Sequence, residues 1–242
     1  MITNINHAKQ FFDLVKPMLQ PPYQGILDQW RQSLEKFKKN QNIHCIHLET
    51  PRNMPFIFKA AELDKRYKGT NKLYPVLEGH QCFCSGKKCN IPYHQKSKLI
   101  AGSIAISLYA IEPESQNILK RIMEKKKEPA LRIHFDHRDE FEEECICDLK
   151  NPTSLKEIQA GSLFHLQFGG SLMESYSLDV PRVPSFPMDW ILLTDIILRN
   201  FYSKKESEKI LEDNTWKSWK KESFEELILP YAKSLNQDIF FS

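Results

Sequence analysis

The spacing of apolar residues changes twice along this chain, and those two changes constrain the fold more than any other feature. Over residues 8–19, Phe11, Phe12, Val15, Met18 and Leu19 recur at helical spacing, with Pro17 set to break the last turn. Residues 24–39 place Ile26, Trp30, Leu34 and Phe37 on one face and Gln29, Gln32, Glu35 and Lys36 elsewhere. Pro21-Pro22 separates the two segments, which predicts an antiparallel helix pair. From residue 43 the period shortens: 43–48 and 56–58 read as short strands. In 99–111, Ile104, Ile106 and Leu108 alternate with small residues, as in a strand packed on both faces. Residues 114–127 read as a helix closed by Lys125, Lys126 and Lys127. Strands are expected at 130–135, 143–149 and 162–168, with Gly169-Gly170 turning into a hairpin partner over 172–178. After a Pro-rich loop at 181–187, helical spacing returns. Residues 188–202 are almost wholly apolar, and Ser203-Lys204-Lys205-Glu206 has the capping-box form. Trp216, Trp219, Phe224, Leu227 and Ile228 mark a last helix before Pro230. Helices, then strands, then helices predict one α+β domain over residues 1–242, with a mainly antiparallel sheet, an N-terminal helix pair and C-terminal helices.

Composition narrows the partners. Lys and Arg total 34 against 31 Asp and Glu, a net charge of +3, which excludes a polybasic coat or an acidic tail but leaves room for a local basic groove. Only 8 glycines argue against Gly-rich phosphate loops. The most apolar window, 190–201, is interrupted by Asp195 and Arg199 and is shorter than the roughly 20 residues of a membrane span. The first residues lack the basic-then-apolar order of a secretory signal. A cytoplasmic, non-membrane protein is therefore expected.

Its 6 cysteines are clustered: Cys45, then Cys82, Cys84 and Cys89, then Cys145 and Cys147. In a reducing compartment, clustered thiols read as metal ligands or reduced cysteines sooner than as a disulfide frame. The stretch from 64 to 94 is polar and irregular, and within it Cys82, Cys84, Cys89 and His94 have the spacing C-x-C-x4-C-x4-H. Those are zinc-type ligands, with Gly86 as the turn, Pro92 stiffening the approach of His94, and Lys87 and Lys88 offsetting thiolate charge. A bound Zn2+ would order a segment with little hydrophobic content of its own, so a zinc-loop excursion is expected at about 78–96. His80 competes as a ligand, and so do Cys145 and Cys147. The loop resembles a zinc knuckle over about thirteen residues. It departs from the pattern by a one-residue first spacer and by the exchange of Cys and His in the last two positions.

The second cluster is Arg132-Ile133-His134-Phe135-Asp136-His137, where strand geometry puts Arg132, His134 and Asp136 on one face. His165 and Gln167 share a face of another candidate strand. If the two strands pair, one surface presents a guanidinium, two imidazoles, a carboxylate and an amide, the groups a phosphodiester or anion site needs. The string 132–137 also stands one residue from the H-x-H-x-D-H signature of metallo-β-lactamase-like hydrolases. Arg132 in place of the first His cannot bind a metal, and only His165 follows, so that assignment fails.

Arg132-Ile-His134-Phe-Asp136, His165-Leu-Gln167-Phe-Gly169-Gly170, Pro181-Arg182-Val-Pro184 and Asn200-Phe201-Tyr202 occur in that order. Over about 128–203 this resembles an uncharacterised bacterial family classed only as a domain of unknown function. The resemblance implies a compact bacterial α+β domain and makes Arg182 a candidate anion contact.

Two functional expectations follow. The first is a zinc-stabilised accessory or binding protein with a protein partner, acting on or near nucleic acid, as in a defence or toxin–antitoxin assembly. Trp216-Lys217-Ser218-Trp219-Lys220-Lys221 is its aromatic and basic candidate surface, although Trp216 and Trp219 also have the spacing of a helix's core face. The second is a nuclease or phosphodiesterase with His134 and His165 as acid and base, Asp136 beside them, and Arg132, Gln167 or Arg182 holding the substrate. The acidic run Asp139, Glu140, Glu142, Glu143 and Glu144 reads as a cation contact or a solvated loop.

Overall fold

The structure, a computed structural model, describes residues 1–39, 45–51, 54–61, 72–84, 99–112, 117–123, 129–137, 164–169, 183–230 and 232. The expected α+β architecture is what it shows. Helices α1 (Ile5–Val15) and α2 (Gln24–Lys39) open the chain. Then come β1 (Cys45–Glu49), β2 (Phe56–Ile57), β3 (Lys72–Cys84), β4 (Leu99–Ile111), α3 (Ile118–Met123), β5 (Leu131–His137), β6 (Phe164–Gly169) and β7 (Val183–Pro184). Helices α4 (Trp190–Phe201), α5 (Lys204–Leu211) and α6 (Asn214–Ser223) follow, the last running into a wider turn of helix at Phe224–Ile228. Ser203 and Glu206 form the expected capping box at the start of α5.

All strand pairings are antiparallel, in the order β1-β3-β4-β5-β6-β7, with β2 also against β3. The centre is the β3–β4 ladder, two strands of 13 residues each. β4 has the bounds its alternation predicts. β3 occupies a stretch expected to be irregular, and residues 78–84 of the expected zinc loop are its second half. Pro75 and Gly79 explain the difference: both are strand breakers by composition, and here both are accommodated. Pro75 sits where its carbonyl accepts from Phe58 N at 2.9 Å. Gly79 has φ of +140°, and a β carbon there would lie 2.0 Å from the Ser103 carbonyl oxygen. Thr50 completes the irregularity: its amide donates to the Gly79 carbonyl at 2.8 Å and its hydroxyl accepts from Gly79 N at 2.9 Å. β1 and β2 are thus two halves of one edge strand, broken opposite Gly79.

Period-2 alternation gives this sheet two unlike faces. One face carries Ile46, Leu48, Phe56, Leu77, Phe83, Ile104 and Ile106, and all the long helices pack on it. Its centre is aromatic: Trp30 stands 5.2 Å from Trp190 and 5.6 Å from Phe56, and Phe11 lies between Trp30 and Trp216 at 5.8 and 6.2 Å. Such pairs add about 0.5–1.5 kcal/mol each beyond the area they bury. Trp216 and Trp219, 0% and 5% exposed, belong to this core and offer no stacking surface. Tyr202, just after α4, ties the helices to the sheet edge through its hydroxyl, which donates to Lys59 O at 2.5 Å.

The edge itself is covered. Trp30 Nε1 donates to Glu49 O at 2.8 Å, and Ser33 Oγ donates to His47 O, so α2 takes the outward carbonyls of β1. Alongside β2, Gln20 N donates to Ile57 O and Lys59 N to Met18 O, each at 2.7 Å. Among the described residues no helix is long and apolar enough to cross a membrane.

Gly79→Ala is expected to destabilise the protein by about 1–3 kcal/mol, the cost of one residue forced into a disfavoured backbone region. Gly169→Ala, where nothing lies within 4 Å of the new β carbon, should leave the urea midpoint close to that of the parent. Equal midpoints for both variants would contradict the close approach at Gly79.

Candidate functional site

The other face of the sheet is polar over most of its width, and strand register assembles it. On β5, Arg132, His134 and Asp136 alternate with Ile133 and Phe135. β5 pairs with β6 so that Arg132 opposes Gly169, His134 opposes Gln167 and Asp136 opposes His165. Opposed residues in an antiparallel pair share a face. The pairing on which the sequence reading depended is therefore present, and it brings five candidate residues onto one surface. On the far side of β5, the same three residues oppose Ser107, Ala105 and Ser103 of β4. Those in turn oppose Val76, Glu78 and His80 of β3.

The small side chains of β4 leave a shallow row between two rows of long polar ones. Arg132 and Glu78 close over it, with NH2 of the guanidinium 3.2 Å from Glu78 Oε1, both side chains about one-third exposed (37% and 30%). Ser107, directly opposite Arg132, is 0% exposed. Its hydroxyl and the Arg132 Nε are buried polar atoms without a hydrogen-bond partner among the described residues. Buried donors are seldom left unmade in a folded protein, because each costs about 1–3 kcal/mol. Two such donors on opposed residues, one of them cationic, make a place suited to an anionic oxygen.

One end of this face is apolar. Tyr74, Val76, Tyr109 and Ile111 pack there with Ile57 and with Ile122 of α3. Tyr109 joins the apolar end to the polar row: burial first, then the Glu78 carboxylate, push its hydroxyl above the ordinary 10.0, while the Arg132 guanidinium pulls it down.

Arg182 lies outside the described residues, although it directly precedes β7, whose Pro184 opposes His165. Cys89, His94, Cys145, Cys147 and the acidic run 139–144 also lie outside them. Cys82 is on β3, 2% exposed, with its sulfur 3.7 Å from His47 Nε2, and Cys84 ends that strand. Among the described residues no group of three or more His, Cys, Asp or Glu side chains is gathered as a metal site. Sequence reasoning missed Glu78, Ser107 and Tyr109. The signal was present only as alternation in β3, which Pro75 and Gly79 obscure, and as two serines in β4 read as packing residues.

Comparison with family models, with curated proteins and with solved structures finds no match to this chain. The site is accordingly read from its own chemistry.

The electrostatics of the row make a spectroscopic prediction. In Glu78→Gln, the Tyr109 pKa should fall, because the carboxylate that disfavours phenolate is gone. In Arg132→Gln it should rise. Ultraviolet difference titration against Tyr109→Phe reads both. Tyr202 is also held neutral, first by burial and then by Glu206. Both folded values exceed the unfolded one, so the stability these hydroxyls contribute is complete below about pH 10 and lost as pH rises beyond it. Urea midpoints taken across that range should fall more gently in Tyr202→Phe and Tyr109→Phe.

Proposed function

We propose that this protein binds a phosphodiester or related phosphate-bearing ligand on the polar face of its sheet and hydrolyses it by imidazole acid–base chemistry. The observation that carries the reading is the β5–β6 register, which sets Arg132, His134, Asp136, Gln167 and His165 on one face. Support comes from two buried donors with no hydrogen-bond partner among the described residues, Arg132 Nε on β5 and Ser107 Oγ opposite it on β4.

Each group has a role that its chemistry suits. Arg132 and Ser107 donate to a non-bridging phosphate oxygen. Glu78 holds the guanidinium through NH2. His134 and His165 are diagonal neighbours across β5 and β6, a relation that sets residues about 7–8 Å apart and their β carbons somewhat closer. That is room for one phosphorus centre between two imidazoles. One takes the proton from the attacking hydroxyl or water and the other returns a proton to the leaving oxygen. Asp136, opposed to His165, orients that imidazole and stabilises its charged form. Gln167, opposed to His134, supplies an uncharged contact to the ligand. A phosphate held by one arginine, with no Gly-rich loop, fits an extended substrate such as single-stranded nucleic acid better than a free nucleotide.

The test uses bis(p-nitrophenyl) phosphate and labelled single-stranded RNA and DNA. Turnover should fall about 10²–10⁴-fold in His134→Ala and in His165→Ala, the usual worth of a positioned acid or base. Arg132→Gln should weaken binding with a smaller effect on turnover of bound substrate. Binding without turnover would remove the catalytic half of the reading, and equal activity in both histidine variants would remove the imidazoles from it.

A further inference from the structure

At the edge of the same face, two strands away from Arg132, the β1/β3 ladder carries a second cluster. Three alternate rungs, which share this face, pair Cys45 with Cys84, His47 with Cys82 and Glu49 with His80. The Glu49 carboxylate is occupied, since it accepts from Gln29 on α2. The two rungs below it hold only thiols and an imidazole. We propose that Cys45, His47, Cys82 and Cys84 form a structural zinc site of Cys3His type, independent of the reading of Arg132 and His134 and requiring neither Cys89 nor His94.

Spacing is the first support. Cys45-x-His47 and Cys82-x-Cys84 are each i, i+2 pairs on a strand. On a strand that spacing shares a face, whereas a turn needs a longer one. Neighbours along a strand are then about 6.6–6.8 Å apart and opposed residues about 4.5–5.5 Å. His47 and Cys82 on such a patch can meet one ion, with Zn–S near 2.3 Å and Zn–N about 2.0–2.1 Å, and Cys45 and Cys84 hold the register positions beside them. Cys45 and Cys84 enter by register position alone.

Geometry is the second. The Cys82 sulfur lies 3.7 Å from His47 Nε2. Two ligands at those bond lengths around a tetrahedral ion lie about 3.5 Å apart. The described pair already stands at the separation that shared coordination would impose. Cys82 is 2% exposed while His47 is exposed, so a sulfur shielded from water sits beside an imidazole that an ion can reach from outside. With four protein ligands the site has no open position, so its task is to clip β1 to β3 and not to activate water.

Metal analysis of the reduced full-length chain tests this. About one zinc per chain is expected, lost in His47→Ala and in Cys45→Ser but kept in Cys89→Ser and His94→Ala. His47 is exposed, so its replacement removes a ligand without opening the core. Co2+ exchanged into the parent protein should give the visible bands and thiolate charge transfer of a tetrahedral sulfur-rich site, absent in His47→Ala. Zinc retained in both His47→Ala and Cys45→Ser would overturn the site. So would a reduced parent protein that holds no zinc and takes up no Co2+, or a Cys45–Cys84 disulfide found by mass spectrometry of protein alkylated before reduction.

Discussion

In an antiparallel ladder, no residue can change faces without carrying every other residue of its strand with it. The β3–β4 pairing runs from Lys72 opposite Ile111 to Phe83 opposite Leu99, and it therefore sets the orientation of almost everything else. Leu77, Phe83, Ile104 and Ile106 must meet the helices. Once they do, Glu78, His80, Cys82, Ser103 and Ser107 must face the other way. Gly79 is the point where this ladder is most tightly held: the Ser103 carbonyl fills the space of its missing side chain, and Thr50 takes both its amide and its carbonyl. The polar face is not an addition to the fold. It is the necessary complement of the apolar one.

The division of labour between the faces is uneven. Helices from both ends of the chain converge on one side, where Trp30, Trp190, Phe56, Phe11 and Trp216 pack ring against ring. On the other side, among the described residues, the short helix α3 covers one end through Ile118 and Ile122. The charged row begins where that cover stops. Arg132 and Glu78 bridge two strands across the small residues of β4, and Ser107 is buried beneath them. The guanidinium so placed is held by a carboxylate, and its Nε has no hydrogen-bond partner among the described residues.

Much of the scaffold was legible from one sequence, because helix amphipathicity, capping and strand alternation are local. The capping box at Ser203 and Glu206, the bounds of β4, and the core face of Trp216 and Trp219 all belong to that class. β3 was not legible, since its two breakers are tolerated only by partners distant in sequence: Phe58 and Thr50 for backbone hydrogen bonds, and Ser103 for close approach. The site divides in the same way. That Arg132, His134 and Asp136 share a face follows from their own spacing, but Glu78 and Ser107 enter only through pairing between strands. The cysteines behaved likewise. Cys82 and Cys84 looked like part of a local loop with Cys89 and His94, whereas their rungs lead back to Cys45 and His47, nearly forty positions earlier in the chain.

The cover over β1 has a further consequence. An open row of strand carbonyls invites a second molecule to add its own strand. Here Trp30 and Ser33 already occupy the outward carbonyls of Glu49 and His47. At the opposite margin of the described sheet, β7 is two residues long and ends in Pro184, which has no amide proton to offer. Among the described residues, the outward carbonyls of His47 and Glu49 are thus taken before another strand could reach them.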